Sequence, residues 1–233
     1  MYPIFDPLYM LFWLPGLLLA LGAQFMVKTA FARYAKVPNR RNMTGAEAAR
    51  RILDANGLQS VSIEGARGTL GDHYDPRSKV LRLSDEVYRG RSLASVGVAA
   101  HEAGHALQDQ VGYAPMRWRA GLVPIVNIGS QLAFPLLLFG MIIKAAGLMK
   151  LGVLLFGGVV LFQLVTLPVE FNASSRAMAL LGNTGILSRD EMGGVKSVLT
   201  AAALTYVAAA ISSILQLLYF MLRSGMLGVS SDD

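Results

Sequence analysis

The sequence predicts a mainly α-helical membrane protein, with about four transmembrane helices and a small α+β domain on the cytoplasmic side. Three observations carry this. Residues 8–27, 120–143, 151–169 and 201–222 contain no Asp, Glu, Lys or Arg, and about 20 apolar residues are what a helix needs to cross the hydrocarbon of a bilayer. Charged residues make up 15% of the chain, below the roughly 25% of soluble domains, so much of the surface is not built for water. Fifteen of the twenty-one Lys and Arg residues and nine of the fifteen acidic ones lie in 28–119. That segment is therefore the water-exposed domain, and its excess of positive charge beside membrane spans places it in the cytoplasm. The net charge of +6 points to a membrane surface as partner and not to nucleic acid.

The first span reads as a retained anchor (residues 1–27). A cleavable secretory signal is the competing reading, but it opens on a positive segment, and no Lys or Arg precedes Lys28. In 28–119, Thr44-Gly-Ala-Glu47 has the spacing of a capping box that starts a helix, running through Ala55 and stopped by Gly57. Val61 to Glu64 alternates as a short strand. Asp75-Pro-Arg-Ser78 has turn chemistry, after which Lys79 to Leu83 returns as a second alternating strand. Ser84-Asp85-Glu86 starts another helix, and Ser92 to Val111 reads as the next. Residues 120–169 form a transmembrane hairpin, with only Lys144 to Lys150 between its arms and prolines at 124 and 135 to kink the first. Asn127, Gln131 and Gln163 are expected to face other helices. Residues 170–200 form a cytoplasmic helical segment, and 201–233 a fourth span and tail. That span is rich in alanine, and a buried helix is its alternative.

The helix at Ser92–Val111 carries His101-Glu102-Ala103-Gly104-His105. Histidines at i and i+4 return to one face of a helix, and two imidazoles so placed can hold one cation. With no cysteine in the chain, any zinc must be bound by histidine and carboxylate. A catalytic zinc takes three protein ligands and keeps one position open for water. Glu102, beside the pair, then has the place of the general base. Ala103 and Gly104 are small enough to let another helix or a substrate approach. The bland alternative is a surface helix that carries these letters by chance. Against it, Val96, Val98, Ala99 and Ala100 make the preceding turn apolar, and a polar trio on a buried helix needs partners.

Three strings together, Asp72-His73-Tyr74-Asp75-Pro76, Val98 to Gln108, and Pro168-Val-Glu170-Phe-Asn-Ala-Ser-Ser-Arg176, resemble the YugP-like family of bacterial membrane-bound neutral zinc metallopeptidases. The likeness covers nearly the whole chain. More distantly, the layout is similar to gluzincins such as HtpX and the CaaX prenyl protease. The resemblance implies a zincin-like domain, a Zn2+ cofactor, protein or peptide substrates, and a multi-pass protein of the bacterial inner membrane with its active site facing the cytoplasm. Quality control of membrane proteins is one setting for such an activity. It also implies a downstream Glu as third zinc ligand.

Elimination among the residues points to the same Glu170. His73 is the only spare histidine and lies upstream. Asp109 sits four residues past His105 on the same helix, and Asp190 and Glu191 lie in or near a loop. Glu170 follows directly on a span that returns the chain to the face of His101 and His105. Gluzincins carry an Asp four residues after that Glu, whereas here the position is Ser174, with Asn172 or Asp109 as possible substitutes. For His73 two readings stand: a cleft residue that assists the oxyanion or substrate, with Tyr74 beside it, or a structural histidine that orders the turn. A site-2 type intramembrane protease would need a downstream Leu-Asp-Gly, which this sequence lacks. A non-catalytic metal protein would have no use for Glu102. The sequence does not define the oligomeric state.

Overall fold

The computed structural model describes residues 6–66 and 71–227, so the outermost ends of the anchor and of the tail lie outside the described residues. These form seven helices and three strands: α1 (Pro7–Tyr34), α2 (Gly45–Ala55), β1 (Ser62–Ala66), β2 (His73–Asp75), β3 (Val80–Ser84), α3 (Asp85–Arg89), α4 (Leu93–Gln110), α5 (Ala114–Ile142), α6 (Ala146–Asn183) and α7 (Met192–Arg223). Four of the helices, α1, α5, α6 and α7, are long and apolar enough to cross a membrane. The protein is thus mainly α-helical, with a small α+β part. The chain divides into two compact units: Met1–Ala23, Arg117–Leu167 and Thr205–Asp233 in one, Gln24–Met116 and Pro168–Leu204 in the other.

The first unit is built from apolar helix segments that meet through small residues. A Cβ added at Gly152 would come within 2.7 Å of the Leu137 side chain, and one at Gly140 within 2.6 Å of Met149. Such close approach is how helices associate where lipid removes the hydrophobic drive between them. On α5 the buried positions are Gly129, Ala133, Leu137 and Gly140, a stripe repeating every three or four residues. Asn127 and Gln131 fall on the side of α5 away from that stripe and are exposed, while Gln163 is half-buried. The expectation that these amides face other helices therefore fails for the first two. The small residues, not the polar ones, select the packed face. Prolines 124 and 135 lie within α5, which continues through both.

In the second unit, the capping box forms as its spacing requires. Thr44 Oγ1 accepts the Glu47 N–H at 3.1 Å, and Glu47 Oε2 accepts the Thr44 N–H at 2.7 Å. Ala48, Ala49, Ile52 and Leu53 of α2 share one core with Leu81 and Leu83 of β3 and with Val96, Ala99, Ala100 and Ala103 of α4. Each fully buried leucine or isoleucine there contributes about 1.5–3 kcal/mol. The sheet order is β1-β3-β2. β3 pairs parallel to β1 and antiparallel to β2, so it does not simply return against β1. Between them in sequence, but at the edge of the sheet beyond β3, lies β2, a strand of only three residues, too short to show an alternating pattern. It runs into the Asp75 turn, where Asp75 Oδ1 accepts the N–H groups of Arg77 and Ser78. The Asp75 carboxyl lies well below the usual range, chiefly through the Ser78 hydroxyl and the Arg77 N–H. Helix α6 does not stop at Val169 but carries Glu170 well inside its length, on to Asn183.

Candidate metal centre

Helix α4 starts at Ser92, whose hydroxyl accepts the Ser95 N–H, and His101 and His105 stand one turn apart on it. Their rings lie 4.7 Å apart and nearly perpendicular. Small residues bring α6 against α4: Ala173 is fully buried, and a Cβ on Gly104 would sit 2.7 Å from the Ala173 carbonyl oxygen. That contact, one turn from Glu170, delivers the carboxylate to the histidine pair. Glu170 Oε2 lies 3.2 Å from His101 Nε2 and 3.6 Å from His105 Nε2. Among the described residues, these three form a group whose ligand atoms all lie within 4.8 Å of one another.

The spacing fits zinc. With bonds of about 2.0–2.1 Å, the edge of a tetrahedron between two ligand atoms is about 3.3–3.4 Å, and the two measured separations bracket that value. The hydrogen bonds fit as well. Gln108 is fully buried, and its Nε2 donates to the Val169 carbonyl at 2.8 Å and to Asn172 Oδ1 at 3.0 Å. Its Oε1 must therefore accept, so the His105 Nδ1 at 2.9 Å carries the proton. Nε2 is then the nitrogen that faces Glu170 and is left to bind a metal. His101 Nδ1 lies 3.2 Å from Ser174 Oγ, a hydroxyl able to accept from that nitrogen. Burial pushes the His105 pKa down, but the Glu170 hydrogen bond and the Glu102 and Glu170 charges outweigh it and hold the ring above the ordinary histidine range. Two carboxylates around two imidazoles make a pocket that favours a cation.

Glu102 is buried beside the trio, and one of its oxygens accepts the Tyr74 N–H of β2 at 3.1 Å. Tyr74 is buried and its hydroxyl donates to Asp109 Oδ2 at 2.7 Å. Burial, reinforced by Asp109, pushes the Tyr74 pKa up, so that hydroxyl stays protonated and engaged. His73, next to it on the strand, is exposed, and its Nδ1 lies 2.7 Å from the Gly71 carbonyl. The structure thus brings His101, His105, Glu170 and Glu102 together, and turns the His73 ring out to solvent in a local contact. Asp109 holds Tyr74 and Lys79, Asp190 pairs with Arg40 at 2.6 Å, and Glu191 accepts from Arg40 and Ser188. Gln108 escaped the sequence reading. Its signal is its place three residues after His105, where the same helix face continues.

Comparison with known proteins bears on this geometry. Residues 9–225 match the family described as "Putative neutral zinc metallopeptidase". The chain belongs to that family. It is also 50% identical over 215 residues to "Putative membrane protease YugP" of Bacillus subtilis (strain 168), covering 92% of this chain and 96% of that protein. No solved structure matches. Zinc is the cofactor of this metallopeptidase family, and the His101, His105 and Glu170 group is where this member offers ligands for it. The same matches make it a membrane protein of protease kinship.

Proposed function

We propose that this protein is a membrane-bound zinc endopeptidase that cleaves proteins or peptides at the bilayer surface, with His101, His105 and Glu170 as zinc ligands and Glu102 as general base. The observation that carries the proposal is the donor trio at tetrahedral spacing with a buried carboxylate beside it. Zinc held there supplies Lewis-acid polarisation of a peptide carbonyl and lowers the pKa of a water to about 7. Gln108 and Ser174 keep the two imidazoles in the tautomer that presents Nε2. The Tyr74 N–H holds one Glu102 oxygen, which leaves the other to take the proton of the attacking water. Glu102 then gives that proton to the leaving amine nitrogen, which lets the C–N bond break without expelling an amide anion. The exposed His73 is left the role of ordering the turn.

The proposal includes the topology. The segment 28–119 and the helical segment 170–200 lie in the cytoplasm, flanked by the anchor, the hairpin 120–169 and the last span, in the inner membrane of a bacterium. Eighteen Lys and Arg residues fall in those two segments, against three at 144, 150 and 223. Damaged membrane proteins are the substrates such a site would meet. The test is Glu102→Gln, assayed on β-casein in detergent with and without a chelator. Zinc content should stay at the wild-type level while turnover falls by about 10²- to 10⁴-fold, the usual contribution of a positioned acid–base group. Turnover within a few-fold of wild type would remove Glu102 from the mechanism.

A further inference from the structure

In the second unit, α1 and α7 leave between them a groove of about 490 Å³, lined among others by Phe25, Met26, Thr29, Arg33, Lys196 and Thr200. Two helices set its level independently. On α1 the uncharged run ends at Val27, and on α7 Lys196 is the last charge before a run that stays uncharged to Leu222. The groove spans both transitions, so it lies where hydrocarbon gives way to headgroups. Its chemistry is graded in the same sense. Phe25 and Met26 expose 71% and 49% of their surface on the apolar side, the Thr29 and Thr200 hydroxyls follow, and Arg33 and Lys196 stand on the polar side. Small residues keep it open: Gly193 lines it, and a Cβ there would meet nothing within 4 Å.

The two cations are open to an anion. Neither belongs to an ion pair among the described residues. Arg33 lies 5.5 Å over the Tyr34 ring, a contact that uses its face and not its N–H donors. The nearby carboxylates are engaged elsewhere, Asp190 by Arg40 and Glu191 by backbone and hydroxyl donors. The first turn of α7 adds the positive end of a helix. We infer that this groove binds an anionic phospholipid, its phosphate between Arg33 and Lys196 and its acyl chains along Phe25 and Met26. Both cations offer charge-assisted hydrogen bonds to phosphate. Among the described residues, no carboxylate lines the groove to receive the ammonium of a zwitterionic headgroup.

Native mass spectrometry of the full chain in a non-ionic detergent, titrated with dioleoyl phosphatidylglycerol or dioleoyl phosphatidylcholine, tests this. One phosphatidylglycerol per chain should be retained in preference to phosphatidylcholine. Arg33→Gln with Lys196→Gln should weaken that retention about thirtyfold, since each basic residue at a membrane surface contributes roughly a factor of five. Lys144→Gln with Lys150→Gln, the same charge change at the α5–α6 turn, should leave it unchanged. Thr200→Trp, which keeps both charges and fills the groove, should also lower it, and serves if the charge variant does not fold. Equal retention of both lipids, equal loss in the two charge variants, or full retention in Thr200→Trp would overturn the site. So would displacement of the lipid by millimolar inorganic phosphate, which would make it a site for a free anion.

Discussion

Replacing Gly104 with alanine tests how α4 and α6 assemble the zinc trio. The added Cβ would lie 2.7 Å from the Ala173 carbonyl oxygen and 3.3 Å from its Cα. Both are backbone atoms that no rotamer change can move. Ordinary contact begins near 3.4 Å, so the helices must part by about 0.7 Å at this point. Glu170 is one turn away on α6, and the same displacement would carry its oxygen from 3.2 and 3.6 Å towards 4 Å from the imidazoles. Zinc sites hold their ligand distances within about 0.2 Å, so binding would have to pull the helices back against the clash. Overpacking of this kind costs about 1–3 kcal/mol, which corresponds to about 5- to 150-fold in zinc affinity. The assay is competition for zinc against a chromogenic chelator. Gly182→Ala serves as control, on α6 at a position where a Cβ meets nothing. An affinity in Gly104→Ala within twofold of wild type would refute the idea that this contact sets the third ligand.

Two further outcomes follow from the same geometry. Gln108→Leu keeps the volume but removes the acceptor for His105 Nδ1–H, and should weaken zinc binding about 10- to 100-fold in the same competition assay. Gln108→Glu, which still accepts, should recover much of that loss. For topology, a reporter active only in the periplasm should work when fused after Asp233, and activity only in the cytoplasm would contradict four crossings.

Much of the fold was legible because its signals are local. The capping box at Thr44 and Glu47, the uncharged runs and the limits of α4 from Ser92 to Val111 all depend on neighbours in sequence. The parallel pairing of β3 with β1 does not. It rests on β2, three residues whose register comes from Leu81 and Arg82 across the sheet, and nothing in His-Tyr-Asp announces that. The exposed Asn127 and Gln131 were misjudged for a related reason. Polarity suggested contact, while the face that packs was chosen by glycine and alanine. At the candidate site, the histidine pair was readable from spacing, and Glu170 from elimination and topology. The Gln108 network was not, because its partners Val169 and Asn172 lie some sixty residues away. The role of Tyr74 became visible only once β2 placed its backbone N–H on Glu102.

The most direct test of the account is the zinc content of Glu170→Ala beside wild type, by elemental analysis of the purified, dialysed protein. The carboxylate supplies one of three protein ligands, and the two imidazoles alone would leave the ion half solvated. The account predicts one zinc per chain in wild type and loss of most of it in the variant, with unchanged helical content by circular dichroism. A full zinc complement in Glu170→Ala would contradict the assignment of the metal centre.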